Sequence, residues 1–135
     1  MIKNNYVCEM DRALESKFKL DYNFNYVYID LDDVIIQENK VNYMVLAFLY
    51  KSLNEGKKLI LLTRHFQDPL LTLEKYNIKN IFSEIIHITD KSVKKSEYIT
   101  KSDSIFIDDS HSERKDVYEK CSIPVFDVNM IDILL

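Results

Sequence analysis

The 135 residues of this chain predict a three-layer α/β sandwich on a parallel, doubly wound, Rossmann-like sheet, in one domain over 1–135. Two observations carry that expectation. From residue 26 onward, short apolar runs alternate with segments of helical periodicity, the signature of strands joined by crossover helices. Two of those runs end in clustered carboxylates, Asp30-Leu31-Asp32-Asp33-Val34 and Asp108-Asp109-Ser110. A run of that kind reads as a strand buried on both faces, so its carboxylates sit at the C-terminal edge of the sheet, where open α/β folds build their sites.

Residues 1–24 lie ahead of the alternation as an N-terminal extension. Ala13, Leu14 and Phe18 predict one short amphipathic helix there, packed on the sheet or partly covering the site. Tyr26 to Ile29 is the first strand. Asn42 to Glu55 follows as a helix with Val45, Phe48, Leu49 and Leu53 on one face and Gly56 as its stop. Lys58 to Leu62 is the second strand, and Asp68-Pro69 starts a helix that ends near Tyr76, an N-cap followed by Pro at the first position. Ile85 to Ile88, Ser104 to Ile107 and Val125 to Val128 are the remaining strands, with short helices over Lys94 to Thr100 and Ser112 to Lys120.

Composition narrows the function classes. A hydrophobic fraction of 47% with 30% charged residues is ordinary for a globular domain. A net charge of -4 argues against a nucleic-acid partner, whose footprint is a basic face. No apolar stretch approaches the roughly 20 residues that span a bilayer, and the first residues lack a signal-peptide core, so the expectation is a cytoplasmic protein with no membrane partner. Cys8 and Cys121 stand alone, without zinc-ligand spacing, and read as reduced bystanders. The single glycine, Gly56, excludes the glycine-rich phosphate cradles of dinucleotide-binding and Walker-type folds. A phosphate bound here must be held by a metal, a Lys and side-chain or loop donors.

Carboxylates converging at one sheet edge repel one another unless a cation holds them. The economical reading is a Mg²⁺ site with a carboxylate nucleophile beside it. The first segment resembles the DxDx(T/V) signature of the haloacid dehalogenase superfamily, with Asp30, Asp32 and Val34 at its defined positions. Thr63 at the end of the second strand matches the family's second motif. Lys95 ahead of a short helix matches the third, with Lys91 and Lys94 as rivals, and Asp108-Asp109 matches the acidic fourth. The resemblance spans about residues 26 to 128.

The resemblance implies a phosphatase that works through an aspartyl-phosphate intermediate. Asp30 would be the nucleophile and Asp32 the general acid, then the base for water. Asp30, the backbone carbonyl of Asp32 and Asp109 would hold Mg²⁺, with Asp108 acting through a bound water. Thr63 and Lys95 would bind the phosphoryl oxygens, and Arg64 could contact the leaving group. Asp33 reads as a turn residue. His65, His87 and His111 show no ligand spacing, and only His111 is placed to support the acidic pair.

Many members of the superfamily carry a cap domain inserted after the first or second motif. Here 33 positions separate Asp30 from Thr63 and 32 separate Thr63 from Lys95, used up by a flap at Ile35 to Val41 and by the elements above. The expectation is therefore no cap, and selection by a flap, the extension or a neighbouring subunit of a homo-oligomer. The expected substrate is a small phosphorylated metabolite such as a sugar, polyol or amino-alcohol phosphate. The chain is also similar to short phosphatase-like proteins of bacterial capsule gene clusters, which suggests surface-polysaccharide biosynthesis. Two rivals use the same residue types: a receiver domain phosphorylated on Asp90 at the end of the third strand, and a non-catalytic phosphate-binding or scaffold protein of the same fold.

Overall fold

The computed structural model describes residues 23–135. The expected helix around Ala13, Leu14 and Phe18 lies outside the described residues, as does Cys8. Five parallel strands form the sheet: β1 (Tyr26–Ile29), β4 (Lys58–Thr63), β5 (Glu84–His87), β6 (Ser104–Ile107) and β7 (Val125–Phe126), in the spatial order β5-β4-β1-β6-β7. Between β1 and β4 lie a small hairpin, β2 (Ile36–Gln37) and β3 (Lys40–Val41), and helix α1 (Tyr43–Asn54). Helix α2 (Pro69–Lys75) follows β4, α3 (His111–Cys121) follows β6, and α4 (Ile131–Leu134) closes the chain.

The order explains where the site must be. Strand order reverses between β1 and β6, so the crevice at their C-terminal ends is the topological switch point. Both carboxylate segments lead out of those two strands. The order also removes the receiver reading. Receiver domains follow the flavodoxin-like order, which puts their third parallel strand beside the first. Here the third, β5, is at the sheet edge and pairs with β4 alone, and Asp90 beyond it is exposed.

Both sheet faces are covered, which is why the strands read as continuous apolar runs. Val27, Ile29, Leu59, Leu61, Ile105 and Ile107 face a core shared with Val45, Phe48 and Leu49 of α1, Leu73 of α2 and Ile131 and Leu134 of α4. Tyr28, Ile60, Leu62 and Phe106 point the other way, onto Val117 of α3 with Ile88 and Ile123. The period of two along each strand thus splits one sequence between two cores.

Local chemistry sets the ends of α1. The Asn42 side chain accepts from Met44 N–H (3.0 Å) and Val45 N–H (3.3 Å). At its C-terminus Gly56 takes φ +80°, while its N–H donates to Leu53 O and the Lys57 N–H donates to Ser52 O. That is the Schellman arrangement, and Gly adopts it without a Cβ penalty.

The flap is a fixed hairpin. Glu38 (φ 50°) and Asn39 (φ 62°) are both left-handed, as a two-residue type I′ turn requires. The Tyr76 hydroxyl at the end of α2 donates to Asn39 O (2.9 Å), and Asn42 Nδ2 donates to Gln37 Oε1 (3.1 Å), so tip and base are both tied down.

Three expectations need correction. The fifth strand stops at Phe126 because Asp127 turns its carboxylate onto Val128 N–H (2.6 Å) and caps a 3₁₀ turn over Val128–Met130. The third strand runs Glu84–His87, one residue earlier than its apolar run, because register with β4 pairs Glu84 with Ile60. Only a 3₁₀ turn, Lys95–Tyr98, forms where a helix was expected. No described helix is long and apolar enough to cross a membrane.

Candidate active site

The ladder that builds the sheet also aims the carboxylates. Asp30 N–H donates to Ile107 O (3.0 Å) and Asp108 N–H donates to Phe126 O (3.1 Å), extending the strand pairing into both acidic segments. Asp33 takes φ 60°, the left-handed turn that reverses the chain after β1, and its N–H donates to Ile36 O (2.8 Å). Oxygen atoms of Asp30, Asp108 and Asp109 lie within 4.8 Å of one another. Asp30 and Asp108 are buried, and Asp109 faces solvent.

Lys95 supplies the cation. Its ammonium donates to Asp108 Oδ2 at 2.6 Å and lies 3.4 Å from Asp30 Oδ2, with 2% of the residue exposed. The turn that carries it is pinned at both ends. Glu97 accepts from Lys94 N–H (2.9 Å), and the Ser96 hydroxyl donates to Asp116 of α3 (2.6 Å). Lys91 and Lys94 are exposed. Of the three candidates the structure brings Lys95 to the carboxylates.

Electrostatics of the site follow from that crowding. Burial and the neighbouring Asp108 raise the Asp30 carboxyl to about 7, against the pull of Lys95, the Leu31 N–H and the Thr63 hydroxyl. Burial and Asp108 also raise Asp109. Burial pulls the Lys95 ammonium down, but Asp30, Asp108 and the hydrogen bond to Asp108 outweigh it and leave Lys95 above its ordinary value. With all three ionised, three carboxylates against one ammonium leave two negative charges. A divalent cation with a preference for hard oxygen ligands matches that charge and that donor set.

Thr63, the last residue of β4, is fully buried; its hydroxyl helps hold the Asp30 carboxyl down, and its oxygen accepts from His65 N–H (3.0 Å). The Asp32 carboxylate stands apart from the three-carboxylate cluster, half exposed, and accepts from His65 Nδ1 at 2.9 Å. Arg64 is turned to the fold: Nε donates to Glu113 Oε2 (2.7 Å) and Nη2 to Val93 O (2.7 Å), and the Glu113 bond raises its already high pKa. His111 begins α3 as an exposed residue.

Sequence reasoning missed three participants. Arg114 Nη1 donates to Asp108 O (2.8 Å), bracing the strand end. Glu113 anchors Arg64. The Ser-x-x-Glu pattern at Ser110–Glu113 signalled a helix start, and Ser110 does cap α3, but the Glu113 carboxylate turns to Arg64. His65 is the third, and its partner Asp32 is 33 positions away, so no local spacing could reveal it.

Neither a protein-family model nor any curated protein matches this chain. Solved structures do. The core domain of a candidate phosphoglycolate phosphatase from Streptococcus pneumoniae TIGR4 is similar at 15% identity and a TM-score of 0.58, covering 77% of this chain and 79% of that one. An uncharacterized protein from Corynebacterium glutamicum ATCC 13032 Kitasato is similar at 8% identity and a TM-score of 0.60, covering 82% of this chain and 95% of that one. These likenesses show the fold, a three-layer α/β sandwich on a parallel Rossmann-like sheet, with no cap domain among the described residues.

Two stability measurements check this electrostatic arrangement. In metal-free buffer the folded state holds the Asp30 proton up to about pH 7, whereas an unfolded chain releases it near 3.8. Stability therefore falls as pH rises from about 4 to 7, by at most about 4 kcal/mol. Asp30→Asn abolishes that cost, so its Tm exceeds wild type at pH 8 and the gap closes toward pH 4. An Asn variant no more stable than wild type at pH 8 contradicts the arrangement.

Lys95→Met leaves buried carboxylates uncompensated and costs about 3–5 kcal/mol in urea unfolding. Lys91→Met and Lys94→Met stay within about 0.5 kcal/mol, as surface changes do. Equal effects of all three substitutions would remove Lys95 from the site.

Proposed function

We propose that this chain is a Mg²⁺-dependent phosphatase acting on the phosphate monoester of a small metabolite, with Asp30 as its nucleophile. One observation carries the reading: at the switch point of the sheet, Asp30 lies in a three-carboxylate cluster closed by the buried ammonium of Lys95. The phosphatase core among its structural neighbours supports the reaction class.

Asp30, the Asp32 carbonyl and Asp109 would hold the metal, with Asp108 acting through a bound water. Bound there, Mg²⁺ would neutralise the cluster and stabilise charge on the phosphoryl oxygens. Everything else falls to the chain's own side chains. An Asp30 oxygen attacks phosphorus, forming the aspartyl phosphate as the ester P–O bond breaks. Asp32, half exposed beside the point of attack, gives its proton to the departing alcohol and then takes one from the water that cleaves the intermediate. Lys95 and Thr63 hold the phosphoryl oxygens in line, and their burial makes each contact stronger than it would be in water.

Room for the alcohol portion supports a small substrate. A cleft of about 470 Å³ is lined by Arg64, His65, Phe66, His87, Thr89 and Lys91, and one of these, His65, also contacts Asp32. That volume falls within the range of metabolite pockets. Its cationic and aromatic lining suits a sugar, polyol or amino-alcohol phosphate.

The test is kinetic, on aryl phosphates in Mg²⁺. Asp30→Asn loses at least 10²-fold in kcat with the fold retained, since a covalent nucleophile carries several orders of magnitude. In the same assay Asp32→Asn loses roughly 10²–10⁴-fold in kcat/KM for a basic leaving group and less for 4-nitrophenol, which needs little protonation. Turnover by Asp30→Asn near the wild-type rate would sink the assignment.

A further inference from the structure

We propose that His65 is the positioning residue of Asp32, an imidazole that aims the acid–base carboxylate at the leaving group. The proposal rests on the phosphatase reading above, and it concerns a residue outside the four motifs. Asp32 is half exposed, with 49% of its side chain accessible. An exposed carboxylate samples several rotamers, and a general acid off its line of proton transfer contributes little. Something must hold it.

His65 is built to do so. It is 7% exposed and is held at four points. Its N–H donates to Thr63 Oγ1 at 3.0 Å, and its carbonyl accepts from His87 Nε2 at 2.7 Å. The ring meets Thr72 Oγ1 at 2.9 Å through Nε2, and both Asp32 oxygens at 2.9 Å through Nδ1. A carboxylate can only accept, so Nδ1 carries a proton; in the neutral ring Nε2 is then the acceptor for the Thr72 hydroxyl. Asp32 thereby sets the proton on Nδ1, while the Thr72 hydroxyl on helix α2, able to donate or accept, holds the far side of the ring in place, much as second partners orient histidines in other catalytic settings.

The same residue joins the two halves of the reaction. Thr63 accepts from His65 N–H and its hydroxyl acts on the Asp30 carboxyl, so both halves of the proposed reaction meet at one segment, Thr63 to His65. A displaced His65 would leave Asp30 and the phosphoryl contacts of Lys95 in place and loosen Asp32 alone. The loss belongs in the step that protonates the alcohol.

Leaving-group dependence reads that step. With Mg²⁺, kcat/KM is measured for aryl phosphates from 4-nitrophenyl to unsubstituted phenyl phosphate. His65→Ala is expected to steepen the dependence on leaving-group basicity, losing tenfold or more on phenyl phosphate and less on 4-nitrophenyl phosphate. Asp32→Asn should steepen it further. His65→Asn, whose amide N–H can take the place of Nδ1, recovers part of the loss; His65→Gln, whose amide reaches toward Thr72, does not. An equal loss across the series, or equal rescue by Asn and Gln, overturns the inference and marks His65 as a packing residue.

Imidazole ¹⁵N NMR at pH 8 supplies a readout that needs no turnover. Wild type shows the proton on Nδ1, and Asp32→Ala releases the ring to a mixture of tautomers. A proton on Nε2 in wild type, or a ring indifferent to Asp32→Ala, overturns the proposal even if the chain is a phosphatase. If wild type cleaves none of the esters, the phosphatase reading fails and takes this inference with it.

Discussion

The buried ammonium of Lys95 is the constraint on which the site depends. Two carboxylates lie within 3.4 Å of it in a region almost closed to water, and a third approaches the pair to within 4.8 Å. Without the ammonium, strand ends that carry Asp30 and Asp108 could not meet with both groups ionised. Lysine suits the place better than arginine, because a compact point charge with three donors can serve several oxygens that do not share a plane. The elements around it follow from the need to bring it there. The connection from β5 leaves the sheet edge and ends in a 3₁₀ turn, and that turn is fastened to α3 through Ser96 and Asp116, with Cys121 Sγ donating to Ser96 O at 3.6 Å. Even with the ammonium in place, Asp30 is left near neutrality. The sheet alone does not complete this charge balance; with all three carboxylates ionised, two negative charges are left over, which a divalent ion would match.

Much of this was legible from sequence, for a physical reason. Strands buried on both faces announce themselves as apolar runs, and carboxylates, Thr63 and the switch-point location follow from where those runs end. Gly56 and Asn42 marked the limits of α1 because capping is local chemistry. What spacing could not settle was set by burial. Lys91, Lys94 and Lys95 are equivalent in a chain rich in lysine until the 3₁₀ turn sends one of them inward. His65 was passed over because its meaning lies in Asp32, on another strand end. The fifth strand is shorter than expected because Val128 resumes the apolar run after Asp127, while the Asp127 carboxylate accepts from the Val128 N–H and ends the ladder. Register misplaced the third strand in the same way: hydrogen-bond pairing with β4, rather than hydropathy, decides that Glu84 begins it.

A capless fold must find its selectivity near the chemistry, and the hairpin is poorly suited to provide it by moving. Its tip is held by Tyr76, its base by Asn42, and its turn is already in the twist that a two-residue loop prefers. Movement would have to break these bonds together. The loops after β4 and β5 present a different surface. Phe66 is 84% exposed beside a buried histidine, and Lys91 and Thr89 stand across from it in the same cleft. An exposed phenylalanine on a loop costs solvation, which is recovered when a ligand or partner covers it.

That contrast assigns different work to the two sides of the site. The β1 and β6 ends, with Lys95 between them, are buried and ion-paired, and in the proposed reaction they would take the phosphoryl group, a moiety common to all phosphate esters. The β4 end holds Thr63 inward at the phosphoryl position and turns His65 toward Asp32, while Arg64 is spent on Glu113 and Val93 and stiffens the loop between them. A loop fixed at Thr63, Arg64 and His65 carries Phe66 as its next residue, so the exposed ring is presented from a rigid base. In the proposed reaction, recognition of the alcohol and its protonation would share one short segment, Thr63 to Phe66. A substrate in the cleft would then lie against His65, the residue that holds the proposed acid–base carboxylate, which is how a site without a cap would couple binding to chemistry.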